Sequence, residues 1–284
     1  MDDLSATAQP VSGQARLASS RALSALFAAA AAGEFPPADG AVEILAQPGE
    51  RDAGVIALTA FAVVFADTDP DWIAARLPAD DLAAPLSASF LHALGQRLGR
   101  QPGCIDVLTC AAPLSGAPPR ELMLAEIDPA QPGLAQPGLA QPGLAQPGSL
   151  PGGLPARGRA PGGPTPATPT PDAPHARVER ALRYRDNVRA WQTAGGILAL
   201  GRGVAGRWET AIEVDPQCRG AGLGRRLASA ARHLVPDGEA VWAQIAPGNA
   251  ASIRAFLWAG FRPIGGEALM TPARNHAAAD PGQA

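Results

Sequence analysis

The sequence contains no lysine; all 23 basic residues of the 284-residue chain are arginine. That absence excludes a phosphate-binding loop of the Walker type, a Schiff-base enzyme and a pyridoxal-phosphate enzyme together, because each depends on a lysine amine. Cysteine is scarce. Cys104, Cys110 and Cys218 form an odd set with no C-x-x-C pair, which argues against both a disulfide framework and a zinc site. A reducing, cytoplasmic compartment is expected. No apolar run reaches the roughly 18 residues of a membrane span. The nearest approach, residues 22–32, is alanine-rich and preceded by Asp2, Asp3, Arg16 and Arg21. It reads as an amphipathic helix with Leu23, Leu26 and Phe27 on one face rather than as a signal core. Glycine has no strict three-residue period, so collagen is excluded. The net charge of −3 is too small to indicate nucleic acid.

Glycine (32) and proline (30) are abundant instead, and unevenly placed. Residues 129–175 hold 13 of the prolines and no aromatic residue, isoleucine or valine, and Ala-Gln-Pro-Gly recurs four times there with a five-residue period. Proline removes hydrogen-bond donors and glycine raises the entropy cost of ordering, so a disordered linker without a core is expected. The expected organisation is an N-terminal α/β region at 1–128, this linker at 129–175, an α/β domain at 176–272 and a disordered tail at 273–284. Residues 1–128 carry 7 arginines against 16 acidic residues, net −9, whereas residues 176–284 carry 14 against 9, net +5. A basic half suits an anionic ligand.

Periodicity predicts strands at 42–46, 55–66 and 104–110 in the first half and a helix at 86–98. Cys104 and Cys110 fall on one side of their strand and read as small core fillers. No catalytic constellation is evident in this half. In the second half a short helix is available at 177–184, and strands are predicted at 187–193, 196–201 and 208–214. Leu223, Leu227, Ala230, Ala231 and Leu234 then give a helical stripe. A strand at 240–246 follows. Asn249 caps a further helix with Ile253, Phe256 and Leu257 inward and Gly260 as its stop, before a last strand at 263–270.

The segment between the strand at 208–214 and the helix that follows carries the chemistry. It reads Asp215-Pro216-Gln217-Cys218-Arg219-Gly220-Ala221-Gly222-Leu223-Gly224-Arg225-Arg226. A glycine-rich turn at a helix N-terminus presents main-chain N–H groups and the positive end of the helix dipole, while the missing side chains let an anion approach. Three glycines among three arginines suit a pyrophosphate. The dinucleotide fingerprint G-x-G-x-x-G is not met, because Arg225 stands where the third glycine belongs.

These residues resemble the GNAT superfamily of acyl-CoA-dependent N-acyltransferases. The pattern Gln/Arg-x-x-Gly-x-Gly/Ala is matched by Arg219-x-x-Gly222-x-Gly224. Val214-Asp215-Pro216 is similar to the family's V-x-P strand end. Asn249-Ala250-Ala251-Ser252 with Ala259-Gly260-Phe261 resembles its N-x-x-(A/S)…G-F helix. The resemblance covers about residues 176–272, and residues 1–128 either supply the family's first elements across the linker or form a second, degenerate copy. It implies an α/β (α+β) fold, a mixed sheet flanked by helices whose fourth and fifth strands splay apart. It further implies acetyl-CoA as co-substrate, held by Val214, Arg219, Gly220, Ala221, Gly222, Leu223, Gly224, Arg225 and Asn249, and no metal. The implied partner is a small-molecule or peptide amine, with no nucleic acid and no membrane.

Two points stand apart from the family pattern. Many members place a tyrosine seven residues after the asparagine as acid for the leaving thiolate; here that residue is Phe256, and Tyr184, the only tyrosine, is not placed in the cleft by anything in the sequence. Glu209 and Glu213, four apart on the strand at 208–214, are the candidate bases, since burial can raise a carboxylate toward useful basicity. An acyltransferase and a non-catalytic CoA-binding module both remain open. Cys218 reads as a loop filler, Trp242 and Trp258 as packing residues.

Overall fold

A computed structural model describes residues 12–130 and 176–272; the expected linker, from residue 131, and the tail lie outside the described residues. The first half runs α1 (Gly13–Ala32), β1 (Val42–Leu45), β2 (Gly54–Leu58), β3 (Phe61–Phe65), α2 (Pro70–Ala74), α3 (Ala88–Leu98), β4 (Arg100–Ala111) and β5 (Ala125–Ile127). The second runs α4 (Ala176–Tyr184), β6 (Asp186–Thr193), β7 (Gly196–Arg202), β8 (Trp208–Val214), α5 (Leu223–Leu234), β9 (Val241–Ile245), α6 (Ala250–Trp258) and β10 (Arg262–Pro272).

All strands of the described residues join one mixed sheet in the order β1-β3-β2-β10-β4-β9-β8-β7-β6-β5. The two halves interleave. The last strand, β10, pairs antiparallel with β2 on one side and β4 on the other. Strand β4 in turn separates β10 from β9, and β5 closes the far edge against β6. Strands from residues 12–130 therefore complete the sheet begun by residues 176–272.

Local sequence explains the elements. Helix α1 starts at Ser12, whose hydroxyl accepts from the Ala15 N–H, and ends at Gly33 in the left-handed region. It buries Leu23 and Phe27 against β2, β3, β4 and β9, with Leu26 beside them. Helix α3 is capped by Ser87 and stopped by Gly99, and lays Phe90, Leu91 and Leu94 on Val55, Val64 and Ala268. Helices α5 and α6 cover the same face as α3, with Leu223, Leu227 and Phe256 in one core with Leu198, Leu200, Ala243 and Ile245. Helix α4 lies on the face of α1, packing Val178 on Ala190 and Ile197.

Three sequence expectations need correction. The strand predicted at 55–66 is the β2–β3 hairpin, reversed at Thr59-Ala60 with Ala60 at φ 48°; no glycine, proline or asparagine advertises the turn. Leu257 is exposed rather than inward, because only Phe256 and the half-buried Ile253 point to the core. Trp258 is 61% exposed and lies under the Arg225 guanidinium at 5.0 Å, so it is not a packing residue.

Candidate active site

Strands β8 and β9 run parallel, yet they pair only at Trp208–Val241 and Glu209–Trp242. Beyond those residues they diverge, and from Thr210 onward β8 keeps β7 alone as a strand neighbour. This is the splay that the sequence led one to expect. The opening continues past the end of β9. Strand β4 pairs with β9 only from Val107 to Ala111, while its pairing with β10 extends back to Arg100. Residues 100–106 of β4 thus leave their other edge facing the gap. The result is a cleft of about 430 Å³ that runs from Asn249, Ser252 and Phe256 to the opposite face of the sheet.

At the β8 end the chain turns through Pro216–Cys218 into the glycine segment. Gly220 and Gly222 both sit at φ 82°, a region that side chains rarely adopt. Gly222 is the N-cap of α5, and no side chain caps the helix. An N-terminal turn without a side-chain acceptor leaves N–H groups for an anion, so the residues fit the diphosphate that the sequence pattern implies. Arg219 folds back and donates from Nε to the Val214 carbonyl at 3.2 Å, tying the turn to the end of β8. A Cβ on Gly222 would meet the Arg225 guanidinium at 2.9 Å, so Arg225 lies directly over the turn. Cys218 packs where Gly195 leaves room for its sulfur, as the filler it was read to be. Asn249 accepts from the Ser252 N–H at 3.0 Å and caps α6 beside the cleft.

The floor of the splay is ionic. Arg207, 5% exposed, donates from Nε to Glu209 at 2.9 Å and from Nη2 to both oxygens of Glu267 at 2.7 and 2.8 Å. Arg185 donates to the other Glu209 oxygen at 3.0 Å, and the Gln244 amide bridges Glu209 and Glu267 at 3.0 and 2.8 Å. Gly203 leaves room for this cluster, since a Cβ there would overlap the Glu209 carboxylate. Burial pushes Glu209 up, but the charges and hydrogen bonds of Arg207 and Arg185 outweigh it and hold Glu209 below the ordinary glutamate range. The raised basicity expected for Glu209 is therefore absent. Glu267 is pushed the other way, chiefly by burial and, against the pull of Arg207, by the charge of Glu209. Glu213 is half-exposed and pairs with Arg177 at 3.5 Å; it does not line the cleft. Ile212 and Val214, on the opposite side of β8, pack against the α5–α6 core.

The other half of the wall was not foreseen. Tyr184, at the end of α4, lines the cleft, as do Arg180, Arg51, Asp52, Cys104 and Asp106. Cys104 is exposed rather than a core filler, while Cys110 is buried, because β4 outruns β9 at its first residues. Phe256 is buried edge-on against Phe261 at 4.8 Å and offers no hydroxyl.

A parallel pair parted beside an uncapped glycine turn defines a GNAT-like region. Residues 202–269 match the family model described as FR47-like protein, which supports a GNAT-type C-terminal region and points to the GNAT superfamily of acyltransferases. Neither the curated proteins nor the solved structures yield a match. Among the described residues no helix is long and apolar enough to cross a membrane.

Proposed function

We propose that the chain transfers an acetyl or related acyl group from acyl-CoA to a primary amine, by direct attack within a ternary complex. The observation that carries this reading is the opening of β8 from β9 at Thr210, next to the uncapped turn at Gly220–Leu223. Acetyl-CoA supplies an acyl carbon activated as a thioester, on which the amine nitrogen forms its new bond as the carbon–sulfur bond breaks.

The chain's own part is placement and proton movement. Main-chain N–H groups from Arg219 to Arg225 hold the diphosphate, with Arg219, Arg225 and Arg226 supplying positive charge. The β8 edge from Thr210 to Val214, unpaired on the cleft side, is available to the pantetheine amides. Glu209 keeps Arg185 and Gln244 in place at the apex rather than taking the amine's proton. Asn249 fixes the α6 terminus against the acyl end. The departing thiolate finds the hydroxyls of Ser252 and Tyr184 on the cleft wall, and a thiolate of ordinary basicity also takes a proton from water.

Thermal shift with acetyl-CoA, a longer acyl-CoA and NAD tests the ligand, because selective binding to the native state raises its stability. Thiol release in the presence of amines tests the reaction. A shift with acyl-CoA and turnover with an amine supports the reading; no acyl-CoA shift ends it. Phe256 in place of a hydroxyl favours a second reading, a CoA-binding module without turnover, which predicts the shift and no thiol release.

A further inference from the structure

The charges around the cleft are mostly spent on one another. Arg51 pairs with Asp52 and Asp186, Arg185 with Glu209, and Arg177 with Glu213. Two are left over. Asp106, half-buried on β4, lies beside Cys104, whose thiol donates to the Ile105 carbonyl at 3.4 Å, and has no ion-pair partner among the described residues. Arg180, on the exposed side of α4, rests its guanidinium over the Tyr184 ring at 5.3 Å and likewise has no ion-pair partner among them. The two lie close enough to influence one another, yet they form no ion pair. Both face the cleft at the end away from α5 and α6.

A half-buried carboxylate whose nearest cation stays beyond ion-pair distance is costly unless a ligand completes it. Asp106 sits on the sheet face of Glu267, Gln244 and Glu209, one residue before β4 meets β9. That is where an amine approaching from the α1–α4 side first reaches the splay. Resting on the acyltransferase reading, we propose that residues 12–130 supply the acceptor site: Asp106 receives the acceptor's ammonium and Arg180 an anionic group on the same small molecule. The acceptor is then an amino-acid-like zwitterion. The ammonium gives its proton to the Asp106 carboxylate and from there to water, which leaves a neutral amine for attack. The cleft volume of about 430 Å³, shared with the acyl arm, fits a small molecule rather than a protein segment.

The test uses the full chain and three zwitterions (alanine, β-alanine and γ-aminobutyrate) against alaninamide and propylamine, which lack the anionic group. Calorimetry with acetyl-CoA reports the cofactor end alone; calorimetry with each amine and thiol-release kinetics report the acceptor end. At least one zwitterion is expected to outperform the non-anionic amines by about tenfold or more, the worth of one charge-assisted contact. Asp106→Asn should raise the acceptor KM about tenfold and leave the acetyl-CoA Kd unchanged. Arg180→Met should abolish the preference for the zwitterion. Binding of no zwitterion, equal handling of all the amines, or an unchanged acceptor KM and Kd in Asp106→Asn would each overturn the proposal. If acetyl-CoA fails to bind, the acyltransferase reading falls; zwitterion binding that is lost in Asp106→Asn would still establish this site.

Discussion

The two ends of the cleft are built in different ways. The end proposed for the cofactor comes from one stretch of chain, β8 through α6, in which the glycine turn, its arginines and the cap of α6 lie within about fifty residues of one another. The end proposed for the acceptor collects Asp52, Asp106, Arg180 and Tyr184 from segments of both halves, brought together where β4 is inserted between β9 and β10. A site built locally can be carried by a single supersecondary unit, whereas a site built by sheet pairing exists only when the whole sheet does. The arrangement ties this end of the cleft to the integrity of the fold.

The sharpest way to break this comparison is to separate the halves. Residues 176–284 expressed alone lack β4, so the edges of β9 and β10 lose their shared neighbour. The fragment is expected to be aggregated or unfolded by circular dichroism, and co-expression with residues 1–130 to restore a folded pair. A well-folded fragment that binds acetyl-CoA would show that the cofactor end stands without its partner. Next in size is Arg207→Met, which strips Glu267 of its cation and leaves Glu209 with Arg185 alone. Breaking a buried pair in this way costs about 3–5 kcal/mol, read from the urea midpoint. The sign with pH follows from Glu209. Its carboxylate is held below its ordinary value of 4.5, so its contribution is present above that value and lost as the pH falls through the lower folded value. In Arg207→Met burial draws the folded values of Glu209 and Glu267 back up, so this acid loss should shrink and the stability gap to the unmutated protein should narrow as the pH falls.

Sequence reading succeeded where contacts are short-range. The Arg219–Gly224 turn, the stripe of α5 and the Asn249 cap could be read because their partners lie within a few residues. The β2–β3 reversal escaped because Thr59-Ala60 carries no turn chemistry, and Ala60 accepts a left-handed conformation imposed by pairing. The acceptor wall escaped for a deeper reason. Nothing near Asp106 or Tyr184 says that strands from both halves alternate, and the alternation of β4 looks the same whether β9 or open space lies beside Cys104. Glu209 was correctly placed on the strand that enters the splay. Its basicity was misjudged because Arg185 and Arg207 reach it through folding.

Smaller perturbations sharpen the contrast between the ends. Gly222→Ala forces a side chain into φ 82° and presses on Arg225. It should cost about 1–2 kcal/mol of stability and weaken acetyl-CoA about tenfold by calorimetry, with zwitterion binding unaltered. Asn249→Ala removes one helix cap, worth about 1 kcal/mol in thermal unfolding. Glu126→Ala breaks the exposed pair with Arg189 between β5 and β6, and a loss of no more than about 1 kcal/mol is expected. A large loss there would mean that the β5 edge matters far more to the sheet than its short pairing indicates.

The position of β10 governs when this molecule can come into being. The last strand among the described residues is a central one, laid between two strands made some 150 to 200 residues earlier. During synthesis β2 and β4 must wait with unpaired edges until residues 262–272 emerge, so the sheet closes late and all at once. A translation product ending before Arg262 has no route to a partial fold with a working cleft. For this chain, the emergence of β10 and the closure of the cleft are one event.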